Sequence, residues 1–249
     1  MTRPFAFAAL ILIATHAPLP ARAADAPGIR SQTVQFAKGA TSAQLRGSIK
    51  GYASVDYKID ARAGQTLSVT MKPSNASNYF NINPPGSDGA AMFIGSSQGA
   101  EATVMLPTDG IYVVQVYLMR NAARRNETSN YTLTVGVTGK PLAPVPAAKD
   151  ALIPGTPFHA SATVACTPPF ESKPQPCEAS VIRRGFDGTA TVEVRGPGST
   201  LRRILFVGGV PVASDATEPL AYSRAGDLTI VKFGADERYE IPDALVRGG

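Results

Sequence analysis

"IYVVQVYLMRNAARRNETSNYTLTVGV", residues 111–137, sets two strand-like runs around a cationic turn. In the second run Tyr131, Leu133, Val135 and Val137 alternate with small or polar residues, the period-two pattern of a strand with one buried face. The first run, "IYVVQVYL", is denser in apolar residues and suits a central strand. Between the runs Arg120, Arg124 and Arg125 fall within six residues, with no carboxylate among them. Such a cluster serves either solubility or recognition of an acidic partner.

The same strand grammar extends toward the N-terminus. "VDYKID" alternates Val55, Tyr57 and Ile59 against Asp56, Lys58 and Asp60, and "LSVTM" alternates Leu67, Val69 and Met71. The runs are punctuated by turn-forming clusters, "ARAGQ", "NPPGSDG" and "LPTDG". No window of helical period is long enough to compete. Residues 32–139 are therefore expected to form an antiparallel β-sandwich, jelly-roll-like, with two sheets burying one core.

"KPLAPVPAAKDALIPGTP" (140–157) carries five prolines and little periodic pattern, so 140–155 reads as a semi-rigid linker. Beyond it "ATVAC", "TATVEVR", "RRILFV", "LTIVKF" and "RYEIP" indicate a second, smaller β-rich domain over 156–249, of no evident function. The fold class is all-β throughout. The two cysteines, Cys166 and Cys177, bracket "TPPFESKPQP"; so close a pair in an oxidising compartment is expected to be a disulfide. Two thiols alone leave a zinc site half built, and no metal is expected.

The N-terminus fixes the compartment. "MTR" supplies a positive start, "FAFAALILIA" (5–14) a short apolar run, and "ARA" (21–23) a small-x-small cleavage site. This is a secretory signal peptide over 1–23, followed by a leader over 24–31. The apolar run is shorter than the ~20 residues a membrane span needs. A soluble, Sec-exported bacterial periplasmic product is expected. Removing residues 1–23 takes away Arg3 and Arg22 and no acid, so the formal charge falls from +5 to +3. That is too mild and too dispersed for a nucleic-acid surface.

Catalytic constellations are missing from the pattern. The mature chain keeps one histidine, His159, with no G-x-S-x-G elbow around any serine, and it reads as an ordinary surface side chain. Asp56 and Asp60 lie on the solvent face of a strand, not in a pocket that would raise a carboxyl's pKa. There is no P-loop, no dinucleotide fingerprint and no calcium loop. The chain is not expected to be an enzyme or to carry a cofactor.

Arg120 and Arg124 are four apart. If "RNAAR" closes one helical turn, both guanidiniums leave from the same side and Arg125 points elsewhere. Tyr52, in the turn "KGYAS", is the aromatic that could stand beside them.

Three segments carry a family resemblance: "QFAKGATSAQLRGSIKGYASVDYKIDARAGQTLSVTM", "YFNINPPGSDGAAMFIGS" and "LPTDGIYVVQVYLMRNAARRNETSNYTLTVGV". Together, over about 32–139, they resemble the periplasmic inhibitors of goose-type (g-type) lysozyme. The block M-R-x-x-A-R-R-x-x-x-x-N-Y, Met119 through Tyr131, is its most specific element. The resemblance implies a β-sandwich, no catalysis, and a loop surface that plugs the lysozyme's substrate cleft as an envelope defence. It assigns lysozyme binding to Arg120, Arg124 and a tyrosine of an early turn, Tyr52, with Tyr57 as the alternative. The partner is then a g-type lysozyme, with no nucleic acid and no integral membrane segment. "LPTDGIYVVQV" is also similar to bacterial pre-peptidase C-terminal (PPC-like) β-sandwich modules. They imply a second reading, a non-catalytic envelope binding or adhesion module for glycan or protein. Residues 156–249 lie outside both resemblances.

Overall fold

The computed structural model describes residues 28–87 and 89–248; the expected signal peptide (1–23) and the start of the expected leader lie outside the described residues. In chain order the first half comprises β1 (Ile29–Thr33), β2 (Ser42–Lys50), β3 (Ser54–Ala61), β4 (Thr66–Pro73), β5 (Asn78–Asn83), β6 (Phe93–Ile94), α1 (Gly95–Gln98), β7 (Glu101–Met105), β8 (Gly110–Leu118), α2 (Arg120–Arg124) and β9 (Thr128–Thr138). The strands form two sheets, ordered β1-β3-β8-β5-β6 and β2-β9-β4-β7. Among the described residues only β1–β3 pairs in parallel. The dense run "IYVVQVYL" is central, as its composition requires, with β3 and β5 on either side.

The alternation in sequence becomes the two faces of each sheet. Val55, Tyr57 and Ile59 face inward, while Asp56, Lys58 and Asp60 face out. Opposite them Leu67, Val69, Leu133 and Val135 are fully buried, as are Phe80, Ile82, Tyr112, Val114 and Val116. Each such aliphatic or phenyl side chain contributes about 1.5–3 kcal/mol relative to exposure. Tyr57 and Tyr131 meet inside this core, one from each sheet, with hydroxyls 2.9 Å apart. Gly47, opposite Tyr131 on β2, has no room for a side chain, because a Cβ there would overlap the Tyr131 hydroxyl.

The second half comprises β10 (Ala160–Thr167), β11 (Gln175–Arg183), β12 (Ala190–Arg195), β13 (Leu201–Val207), β14 (Val210–Ser214), β15 (Leu220–Ala225), β16 (Leu228–Phe233), β17 (Glu237–Pro242) and α3 (Asp243–Arg247). They make one eight-stranded antiparallel sheet, β14-β13-β12-β11-β10-β17-β16-β15. Its edges β14 and β15 approach each other, so the sheet nearly closes on itself around Val181, Val192, Ile204, Phe206, Val231 and Ile241. The disulfide Cys166–Cys177 is present, with Cα atoms 5.9 Å apart, and ties β10 to β11 at the mouth of the loop they share.

The halves meet along the turns that follow β3, β5 and β7. Arg184, its side chain fully buried, donates from Nη1 to Asp109 Oδ2 at 3.0 Å. Burial lowers the Arg184 pKa, and the Asp109 carboxylate opposes that shift. Asp109 Oδ1 also accepts from the Ala63 N–H at 2.9 Å. Thr191 Oγ1 donates to the Pro107 carbonyl, and Thr217 Oγ1 to that of Ala91. Residues 140–155 run along this seam. Leu142 packs with Ala63, Leu205 and Ala213, and Val145 is buried with its N–H on the Arg183 carbonyl.

His159 corrects its sequence reading: it is buried, not on the surface. Its Nδ1 accepts from the Arg183 N–H at 3.1 Å, and Nε2 donates to the Val145 carbonyl at 2.9 Å. Both ring nitrogens are thereby spent on holding segment 140–155 to β11.

Candidate functional site

Because successive strands reverse direction, the sandwich has two poles. One gathers the turns after β3, β5 and β7 and is covered by the second half of the chain. The other gathers the turns after β2, β4 and β8, which hold Tyr52, Asn75 and the arginine cluster. β8 links the two, and its nine residues put the poles about 27 Å apart.

At the free pole β8 ends at Leu118, and "RNAAR" does close one helical turn, α2. Ala122 and Ala123 face inward and are buried, which their small side chains permit. Arg120 and Arg124 therefore project from the opposite side. The turn is closed by a Schellman motif: the Glu127 N–H bonds the Ala122 carbonyl at 3.2 Å, and the Asn126 N–H that of Ala123 at 2.9 Å. Asn126 takes the left-handed conformation this motif needs, with φ of 55°, a region Asn tolerates better than most residues.

The three arginines are not equivalent. Arg125 donates from Nε to Glu127 Oε1 at 2.6 Å and is neutralised in place. Arg120 and Arg124 are exposed, and among the described residues neither has a carboxylate partner. Two guanidiniums thus stand open on a short, tightly closed turn.

The β2–β3 turn is fastened beside them. The Gly51 N–H donates to the Glu127 carbonyl at 2.9 Å, and Gly51 has φ of 59°. A Cβ at this position would lie 2.8 Å from Asn126 Oδ1, so glycine is what lets the two turns touch. Tyr52 follows directly and is 70% exposed. Tyr57, the alternative aromatic, is 2% exposed inside the sandwich. The third turn joins through Asn75, whose Nδ2 donates to Glu127 Oε2 at 2.8 Å. Hydrogen bonds from Asn75 and then Arg125 hold the Glu127 carboxyl below the ordinary carboxylate range.

The free pole therefore unites Tyr52, Arg120 and Arg124, which the sequence singles out, on a frame of Gly51, Asn75 and Glu127, which it does not. Only "NET" directly after the arginines hinted that an acid closes the turn. The site holds no acid–base pair or nucleophile; what it can do is present two planar cations and one phenol to another surface. Among the described residues no three His, Cys, Asp or Glu side chains stand together as metal ligands. None of the described helices is long and apolar enough to cross a membrane.

No protein-family model matches the chain. It is 32% identical over 110 residues to the inhibitor of g-type lysozyme of Escherichia coli (strain K12), a match covering 43% of this chain and 81% of that protein. Among solved structures it is similar to PliG of Aeromonas hydrophila, a periplasmic lysozyme inhibitor of g-type lysozyme. There the identity is 38% and the TM-score 0.42, over 44% of this chain and 97% of that one. A more distant likeness is to the pre-peptidase C-terminal domain of the Bacillus anthracis collagenase, at 13% identity and a TM-score of 0.31, over 44% and 94% of the two chains.

Proposed function

The chain belongs to the family of inhibitors of g-type lysozyme, and from that membership we propose that it inhibits such a lysozyme in the periplasm by filling its acidic cleft from the free pole. The observation that carries this reading is the contrast among the arginines. Arg125 is neutralised by Glu127, whereas Arg120 and Arg124 are exposed on the same turn and have no carboxylate partner among the described residues. A glycosidase that cuts peptidoglycan keeps carboxylates in its cleft. A guanidinium engages a carboxylate through two parallel charge-assisted hydrogen bonds, which the point charge of a lysine does not match. Two such forks would occupy the general acid and a neighbouring subsite together, with Tyr52 packing beside them.

Preorganisation favours the same reading. The Schellman motif, the bond from Gly51 to Glu127 and the buried alanines hold the turn before any partner arrives, which reduces the ordering cost of binding. The second half of the chain covers the other pole and leaves this one open.

The test pairs two assays on the full mature chain. The chain should slow a purified g-type lysozyme at near-stoichiometric ratio and should not co-sediment with peptidoglycan sacculi. Sedimentation with sacculi and unchanged lysozyme kinetics would overturn the reading in favour of a glycan-binding module.

A further inference from the structure

Glu127 bonds to all three turns of the free pole. Its Oε1 accepts from Arg125, its Oε2 from Asn75 on the β4–β5 turn, and its carbonyl from Gly51 on the β2–β3 turn. Its own N–H closes the Schellman motif on Ala122. A residue that touched one turn would be a local cap. One that bonds to three sets the distance and angle between the arginine-bearing turn and the turn that carries Tyr52.

We propose that Glu127 is the positioning residue of the inhibitory surface. Its carboxylate ties the arginine-bearing turn to the β4–β5 turn, its main-chain carbonyl holds the Tyr52-bearing turn through Gly51, and it acts on the lysozyme only through Arg120, Arg124 and Tyr52. The bonding supports this division of labour. Both carboxylate oxygens are already engaged within the chain, and the negative charge is matched by Arg125, so Glu127 offers nothing further to an acidic cleft. Its side chain remains about one-third exposed, which places the latch at the rim of the face and outside the core. The inference rests on the inhibitor reading above.

The test uses the full chain and a double-mutant cycle. Glu127→Ala should weaken inhibition roughly ten-fold, by restoring freedom to turns that the partner must then order. Glu127→Gln keeps one acceptor and should recover part of that loss. In a chain already carrying Arg120→Ala, Arg124→Ala and Tyr52→Ala, the further change Glu127→Ala should cost less than about two-fold, because nothing remains to position. Full additivity in that background would overturn the proposal, since Glu127 would then act on its own. Amide hydrogen exchange of the free chain separates this from the inhibitor reading. In Glu127→Ala the Ser77 amide, which bonds Asn75 Oδ1, and the Asn126 amide should exchange at least about ten-fold faster, while the Gly51 amide keeps its main-chain acceptor and those of β8 and β9 are unchanged. Unaltered exchange at Ser77 and Asn126 would refute the latch whether or not the wild-type chain inhibits a lysozyme.

Discussion

Arg184 and Asp109 form an ion pair at 3.0 Å across the seam between the two halves of the chain, with the arginine side chain fully buried. Removing either partner strands the other charge, at a cost that is larger when the stranded group is buried; the Arg184 side chain is fully buried, whereas that of Asp109 is 30% exposed to water. Asp109→Ala should therefore destabilise the protein by about 3 kcal/mol, and Arg184→Met by much less. Urea unfolding followed by circular dichroism checks the difference. Equal losses would mean that packing, not the pair, holds the seam. Neither variant should alter inhibition, since the free pole lies about 27 Å away along β8.

The sandwich should stand without its companion. We expect residues 24–140, produced alone, to fold cooperatively and to inhibit within about two-fold of the full chain, because the bonds to the second half come from the turns after β5 and β7, at the other pole. The melting temperature should fall, because Ala63 loses the cover of Leu142, Leu205 and Ala213, and Asp109 loses Arg184. A truncated chain that melts cooperatively but is inert would move the inhibitory surface into the second half.

Alkaline pH should unfold the protein from within. Burial raises the hydroxyl pKa of Tyr112, Tyr131 and Tyr239 above the ordinary tyrosine range. Below about pH 10 these hydroxyls are neutral in both folded and unfolded chains, and their contribution to stability is fully present. Above that, the unfolded chain ionises them and the folded chain does not, so stability falls as pH rises. Absorbance at 295 nm should show a late group of tyrosines ionising together with the loss of far-ultraviolet ellipticity. Smooth titration of every tyrosine near pH 10 in a still-folded protein would contradict this.

Strands with one wet face were legible in the sequence because alternation survives there, as in β3, β4 and β9. β11 was not: it opens with Gln175 and Pro176 inside the disulfide loop, and Ala179–Arg183 are buried on both faces, which erases the period of two. β15 failed for the opposite reason, being exposed along almost its whole length. The burial of His159 left no trace either, since its partners are backbone groups of Val145 and Arg183, brought near only by the fold. At the site the i,i+4 spacing of Arg120 and Arg124 revealed their common side. The work of Glu127 depends on Asn75, 52 residues earlier, and on Gly51, and no local pattern records those contacts.

The most direct measurement is the inhibition constant against a g-type lysozyme for Arg120→Ala, Arg124→Ala and Arg125→Ala, at low and raised salt. Truncating one partner of a buried, hydrogen-bonded charge pair costs about 2–5 kcal/mol. Arg120→Ala and Arg124→Ala should each weaken inhibition roughly thirty-fold or more with an unchanged melting temperature, and lysine at either position should not restore it fully. Arg125→Ala, whose guanidinium is already paired with Glu127, should lose far less. Equal, modest losses for all three, erased by about 0.3 M salt, would mean that the turn is only a diffuse positive patch and would contradict the account.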